Sequence, residues 1–166
     1  MPNSTPPLRR IISGGQTGVD RAALDVALNQ SIPIEGWCPK GRLAEDGPLP
    51  HHYHLQETPS SRPSQRTEWN VRDSDGTLVL TYHKPTGGTA LTLRCAQRLH
   101  KPYLVIHLDQ NPESRRVTDW LIQYNIHDLN IAGPRESTCP TIYQSAYAFL
   151  QKLVTTLRGI QCTKSE

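Results

Sequence analysis

The sequence predicts an α/β fold in one domain, built on a parallel sheet that helices cover. Short β-branched runs alternate with segments whose apolar residues recur at helical spacing, which is typical of parallel strands joined by crossover helices. The chain has 166 residues, close to the usual size of one folded domain. Because Phe149 is its only phenylalanine, much of the core must be aliphatic, as is common in helix-covered sheets.

Six short runs rich in β-branched and aliphatic residues are predicted to form strands, because turn-forming residues separate them from the helical segments. The run from Thr77 to Thr81 follows a turn at Asp75–Gly76 and has the composition of a buried strand. The segment at 39–50 is rich in glycine, proline and charge, so we predict a long functional loop there. The predicted strands are 9–13, 32–37, 53–57, 77–81, 103–108 and 129–132.

Five segments are predicted to be helices. In the first, apolar residues from Val19 to Ala27 recur at helical spacing, and in the last they recur from Ile142 to Leu157. Pro112 is a suitable start for the fourth helix, because proline fits the first helical turn. The predicted helices are 19–27, 64–73, 90–99, 112–124 and 142–157.

Composition excludes several classes of protein. Lys plus Arg is 18 and Asp plus Glu is 15, and the resulting net charge of +3 is spread along the chain, which gives no indication of a nucleic-acid partner. The mean hydropathy is −0.55. No apolar run approaches the ~18 residues that a membrane span requires, so we expect no membrane association. We expect a cytoplasmic protein with a disordered lead at 1–8 and one folded domain at 9–160.

Three glycine-containing loops each follow a predicted strand and precede a helix. They are Gly14–Gly18, Lys84–Thr89 and Gly133–Ser137. Ligands of open parallel sheets bind outside the carboxyl ends of the strands, so the three loops are expected to meet in one crevice. Glycines let the backbone approach a ligand closely, and a helix N-terminus attracts anions. The sequence therefore predicts a site for phosphate or another oxyanion, although the first loop matches neither a Walker A loop nor G-x-G-x-x-G.

Several charged residues near these loops are candidates for anion contacts. Lys40, followed by Gly41, and Arg135, preceded by proline, are the better candidates because each lies in a loop of restricted shape. Asp20 lies in the first turn of its helix, where a carboxylate ordinarily stabilises the helix dipole. The basic residues around the loops are Arg21, Lys40, Arg42, Arg66 and Arg135.

Local motifs indicate neither a metal site nor a catalytic site. His51, His52 and His54 have a spacing that can bind metal, but no cysteine ligand is nearby, so we interpret them as solvated side chains and predict no metal site. The sequence contains no G-x-S-x-G elbow, no H-E-x-x-H and no evident pair of nucleophile and base. We therefore predict no catalytic residue.

Four ordered blocks together resemble one family, the molybdenum cofactor carrier proteins. The resemblance implies a Rossmann-like parallel sheet covered by helices on both faces, related to the lysine decarboxylase-like nucleotide hydrolases that activate cytokinins. It also implies a protein that binds the molybdenum cofactor as a homo-oligomer, specifically a tetramer. The blocks are residues 12–25, 36–42, 66–77 and 130–137.

The chemistry of that cofactor suits paired anion loops. It carries a terminal phosphate and an oxo-molybdenum dithiolene on a flat pterin, so molybdate and phosphate are further candidate ligands. The resemblance does not imply which end each loop contacts. The cofactor-binding residues that it implies are Gly14, Gly15, Gln16, Thr17, Gly18, Lys40, Gly41, Arg66, Thr67, Asn70, Thr86, Gly87, Gly88, Thr89 and Arg135.

Two other functions remain open from the sequence. The related hydrolases split nucleoside monophosphates with a glutamate that follows their glycine loop, whereas here the loop continues as Ala90–Leu93 without a carboxylate. We therefore expect a protein that is not an enzyme. A module that senses ADP-ribose-like nucleotides would use the same loops without chemistry. For a carrier, the expected partners are apo-molybdoenzymes such as nitrate reductase.

Overall fold

The structure is a computed structural model that describes residues 8–162. The predicted disordered lead at 1–8 lies outside this range except for Leu8, which packs against the core. The strands are β1 (Arg10–Ile12), β2 (Ile34–Glu35), β3 (Trp37–Cys38), β4 (Leu43–Ala44), β5 (Gly47–Pro48), β6 (Gln56–Glu57), β7 (Gly76–Thr81), β8 (Tyr103–His107) and β9 (Asp128–Ala132). The helices are α1 (Val19–Asn29), α2 (Pro63–Arg72), α3 (Gly87–Arg98), α4 (Ser114–Gln123) and α5 (Ile142–Cys162), and a 3-10 turn (Leu108–Gln110) follows β8.

Five parallel strands form the central sheet in the order β2-β1-β9-β7-β8. The last strand in the chain, β9, is therefore the middle strand of the sheet. If β9 and α5 preceded β1 in the chain, the order would become 3-2-1-4-5, which is that of a doubly wound Rossmann sheet. The predicted Rossmann-like α/β fold is confirmed, with its last strand in the place that a first strand usually takes.

Helices cover both faces of this sheet, as predicted. The connections β1-α1-β2 and β7-α3-β8 run in opposite directions across the sheet, so right-handed crossovers place α1 and α3 on opposite faces. On one face α1, α4 and α5 enclose the main core, in which strand residues such as Leu78 and Leu129 are fully buried. On the other face α2 and α3 pack together around Val71, Cys95 and Ala96. In residues 8–162, no helix has both the length and the apolar character to cross a membrane.

The predicted strands at 32–37 and 53–57 are longer than those observed. Strand β2 ends at Glu35 because Gly36 has a φ of 140° and approaches Ser13 so closely that a side chain there would overlap the Ser13 carbonyl oxygen. The chain then leaves the central sheet, and β3 pairs with the short β6 in a separate two-stranded sheet. Tyr53 and Leu55, predicted as strand residues, instead bury their side chains in a small apolar cluster.

The other departures from the predicted elements are local. The predicted loop at 39–50 contains a short antiparallel ladder of β4 and β5. Helix α4 begins at Ser114, two residues after the predicted start at Pro112. Helix α3 begins at Gly87, so the glycines of the second loop form its first turn rather than preceding it.

The pH dependence of unfolding should depend on the ion pairs at the start of β9. Hydrogen bonds from Arg9 at 2.8 and 2.6 Å and from Arg10 at 2.9 Å hold the pKa of the buried Asp128 carboxyl below its usual value. This stabilisation is present above the unfolded-state pKa of about 3.9 and is lost as the pH falls through the folded-state pKa. Thermal unfolding should therefore give a constant Tm difference between wild type and Asp128→Asn from about pH 7 to 5, shrinking below about pH 4. A difference that persists unchanged at low pH would contradict this role.

Candidate functional site

The three glycine loops meet at one cleft, as predicted. They follow β1, β7 and β9, and because β9 lies between the other two strands, the three carboxyl ends are neighbours. The cleft has a volume of about 550 Å³, within the range of small-molecule sites of roughly 300–1,000 Å³. It continues towards the start of α2, whose Pro63 and Ser64 also line it.

The cleft contains eight of the fifteen residues that the resemblance implies, together with others that the sequence did not indicate. Two further lining residues carry charges: Asp20, which the sequence indicated only as a first-turn carboxylate, and Lys84, whose place in the second loop is the signal that points to it. The predicted residues that line the cleft are Gln16, Arg66, Thr67, Thr86, Gly87, Gly88, Thr89 and Arg135.

The first loop is neutralised from within the chain. The Asp20 carboxylate accepts a hydrogen bond from the Gln16 amide at 3.3 Å and forms an ion pair with Arg66 at 2.9 Å. Burial raises the pKa of Asp20, and Arg66 opposes that shift. The Arg66 guanidinium lies against Gly14, so a side chain at that position would displace it. Asp20 lies in the first turn of α1, a position that suits a carboxylate, and the same residue also lines the cleft.

The third loop is neutralised in the same way. The Glu136 carboxylate accepts hydrogen bonds from the amides of Thr141, at 2.5 Å, and Tyr143, at 2.9 Å, at the start of α5. The first and third loops also touch, since a side chain at Gly18 would overlap the Pro134 carbonyl oxygen. This close approach explains why Gly18, with a φ of 74°, is glycine.

The second loop differs because its helix N-terminus is open. Helix α3 has no acidic residue in its first turn. Within residues 8–162, the backbone amides of Gly87 and Gly88 have no hydrogen-bond acceptor. Both glycines are exposed, and no atom lies within 4 Å of the position of a side chain at either one. The start of α3 therefore has uncompensated backbone amides that face solvent, and Lys84 precedes it in the chain.

The loop at 39–50 fixes the rim of the cleft through Glu45. The hydroxyl of Thr17 donates to this carboxylate, as does that of Ser137 at 2.5 Å, and Arg135 lies 3.9 Å away. Although partial burial acts in the opposite direction, the hydrogen bonds from Ser137 and Thr17 lower the pKa of Glu45. Glu45 thus joins the first and third loops and stays ionised at neutral pH.

Two other residues that the resemblance implies, Gly15 and Asn70, make structural contacts and do not line the cleft. Gly15 has a φ of 78°, and a side chain there would come within 2.8 Å of Leu49. The Asn70 side chain makes two hydrogen bonds with the backbone of Trp37. Its oxygen accepts one from the Trp37 amide at 2.7 Å, and its nitrogen donates one to the Trp37 carbonyl at 3.0 Å. Gly15 and Asn70 therefore stabilise the loops without lining the cleft.

Lys40 and Gly41 lie outside the cleft. Lys40 is exposed, and the Gly41 amide donates to Glu57 at 2.7 Å. Arg42 is likewise structural, because its guanidinium donates to the backbone carbonyls of Leu49, Pro50, Tyr53 and Leu55. The three histidines at 51, 52 and 54 are exposed, and residues 8–162 contain no cluster of three or more potential metal ligands.

Comparisons with known proteins agree with the observed architecture. A family model described as "Circularly permutated YpsA SLOG family" matches residues 11–154. The crystal structure of a protein from Syntrophus aciditrophicus named "putative molybdenum carrier protein" shares 48% sequence identity with this chain and has a TM-score of 0.87. The match covers 90% of this chain and 96% of the other. Among curated proteins, no significant match was found.

The family description agrees with the position of β9, which is the displaced strand of a permuted sheet. The resemblance to molybdenum carrier proteins is confirmed by the 48% identical structure. Because the family model spans nearly all of the described chain, this protein belongs to the circularly permutated YpsA SLOG family.

Proposed function

We propose that this protein binds the molybdenum cofactor in the cleft, protects it, and delivers it to apo-molybdoenzymes such as nitrate reductase in the cytoplasm. One observation carries the proposal: the cleft has an open helix N-terminus at Gly87–Gly88 and three basic side chains, Arg66, Lys84 and Arg135. A 48% identical protein is named a molybdenum carrier, which supports the choice among anionic ligands.

The charges of the cleft suit the two anionic ends of the cofactor. We assign the terminal phosphate to the start of α3, because Asp20 and Glu136 already provide carboxylates at the starts of α1 and α5. The oxo-molybdenum dithiolene would then extend toward other basic side chains of the cleft. Arg135 is a candidate contact, since its side chain is 46% exposed and its nearest carboxylate is 3.9 Å away.

The acidic groups favour a carrier over a nucleotide hydrolase. The first turns of α3 contain hydroxyls and amides but no carboxylate. Asp20 is the acidic side chain that lines the cleft within residues 8–162, and Arg66 and the Gln16 amide hold it. Glu68 pairs with Arg98 and does not line the cleft. A glycosidic bond placed at α3 would therefore lack a free acid beside it.

We also propose a homo-oligomer, a tetramer by family resemblance. Trp69 on α2, a candidate interface residue, packs edge-on against Trp37 with ring centroids 4.7 Å apart. Arg72 lies over the Trp69 ring at 4.7 Å. The indole is thus half-buried within one chain, and its remaining surface is available to a second copy.

A transfer assay tests the carrier function directly. Protein loaded with the cofactor should restore the activity of cofactor-free nitrate reductase and lengthen the lifetime of the free cofactor in air. In parallel, AMP and related monophosphates should remain uncleaved, because the first turns of α3 lack an acid. Release of free base at an enzymatic rate, lost when Asp20 is replaced, would instead indicate a hydrolase.

Blocking the start of α3 should weaken ligand binding without unfolding the protein. In Gly88→Val the added branches enter the open space above the exposed helix N-terminus, where they hinder a phosphate. Isothermal titration should show an affinity for cofactor or phosphate at least about tenfold lower, equivalent to roughly 1.4 kcal/mol.

Ala90→Val is the matched control for this substitution. It adds the same branches to the first turns of α3, at a position that does not line the cleft. Its affinity should equal that of wild type. Equal affinity in a folded Gly88→Val protein would remove the start of α3 from the site.

A further inference from the structure

One oxygen of a buried carboxylate in the cleft is unused. The Asp20 side chain is 5% exposed, and both of its hydrogen bonds, from the Gln16 amide and from Arg66, reach the same oxygen, Oδ2. In the described part of the chain, no donor lies within hydrogen-bonding distance of Oδ1. The Gln16 amide lies before α1 and the Arg66 guanidinium lies on α2, and neither of these contacts involves Oδ1.

The neighbouring guanidinium has unused donors. Arg66 contacts Asp20 through Nη1, and its Nε is buried without a partner. Its Nη2 group contacts no acceptor among residues 8–162, and Arg66 lines the same cleft. A hydrogen-bond acceptor and a hydrogen-bond donor therefore lie side by side in the wall of the cleft. Unsatisfied buried polar groups of this kind cost stability unless a ligand completes them.

An acceptor beside a donor matches one edge of the pterin ring. That edge presents a 4-oxo group, an N3–H and a 2-amino group in succession. The guanidinium can donate to the 4-oxo oxygen while the carboxylate accepts from N3–H and the 2-amino group, and charge-assisted hydrogen bonds of this type are strong.

We propose that Asp20, supported by Arg66, determines ring specificity by accepting the N–H and 2-amino donors of a 2-amino-4-oxo heterocycle. This inference rests on the proposed function, since it assigns the pterin of the same ligand to the wall formed by α1 and α2. The phosphate at α3 and the ring at Asp20 are separate contacts of one cleft, so they can be tested separately.

The first test needs no substitution. Pterin and lumazine have the same ring system, but lumazine carries a 2-oxo group where pterin carries a 2-amino group. Isothermal titration of the wild-type protein should show pterin binding at least about tenfold more tightly, because the Asp20 carboxylate repels a carbonyl oxygen at that position. Equal affinities would overturn the inference.

The second test replaces the hydrogen-bond acceptor at position 20 with a hydrogen-bond donor. In Asp20→Asn, the Arg66 and Gln16 donors keep the amide oxygen, so the NH₂ group faces the cleft. The preference for pterin should then vanish or invert in favour of lumazine. A purely structural role for Asp20 would lower both affinities together and leave their ratio unchanged, which would contradict the inference.

A matched control lies one turn further along the same helix. The Asp25 carboxylate accepts hydrogen bonds from the hydroxyls of Tyr53 and Tyr143 outside the cleft. Asp25→Asn should leave the pterin to lumazine ratio at its wild-type value. Circular dichroism establishes that each variant is folded, and the wild-type ratio decides the question if Asp20→Asn does not fold.

The outcomes distinguish this inference from the carrier function. If pterin and lumazine bind equally while loaded protein still activates nitrate reductase, only the role of Asp20 is wrong. If neither pterin nor the cofactor binds, both are wrong. Selective pterin binding without transfer to nitrate reductase would support the ring-binding role and refute delivery.

Discussion

The insertion of β9 between β1 and β7 is the constraint on which the site depends. Parallel pairing places Arg10 opposite Asp128, so the ion pair at the start of β9 joins residues that are direct neighbours across the sheet. With that register, the loops after β1, β7 and β9 emerge side by side. At an edge of the sheet, the loop after β9 could not border both of the others. The cleft is thus a consequence of strand order, as in other doubly wound sheets.

The distribution of carboxylates then distinguishes the three helix N-termini that follow the glycine loops. Helices α1 and α5 carry internal partners, Asp20 and Glu136, whereas the first turn of α3 has none. The partial positive charge of a helix N-terminus is strongest where no internal anion compensates it. The cleft thereby combines one uncompensated helix N-terminus with three basic side chains, while Asp20 supplies a hydrogen-bond acceptor elsewhere in its lining.

Local patterns in the sequence were sufficient to predict the alternating elements and the convergence of the loops, because both follow from short-range periodicity and strand direction. The central place of β9 has no local signal, since it depends on pairing with strands far away in the chain. The Asp20–Arg66 pair joins residues 46 positions apart, so a first-turn carboxylate could be interpreted only as a dipole partner. The glycine next to Lys40 predicts a loop of fixed shape, but the fold of that loop places Lys40 outside the cleft.

The position of the metal tests the central claim most directly. Anomalous X-ray scattering from molybdenum, in a crystal of the cofactor-loaded protein, locates the cargo without assumptions about its contacts. We expect a molybdenum peak inside the cleft bordered by the three glycine loops, with phosphate density at the Gly87 and Gly88 amides. A peak outside this cleft, for example at the exposed histidines of the long loop, would contradict the account.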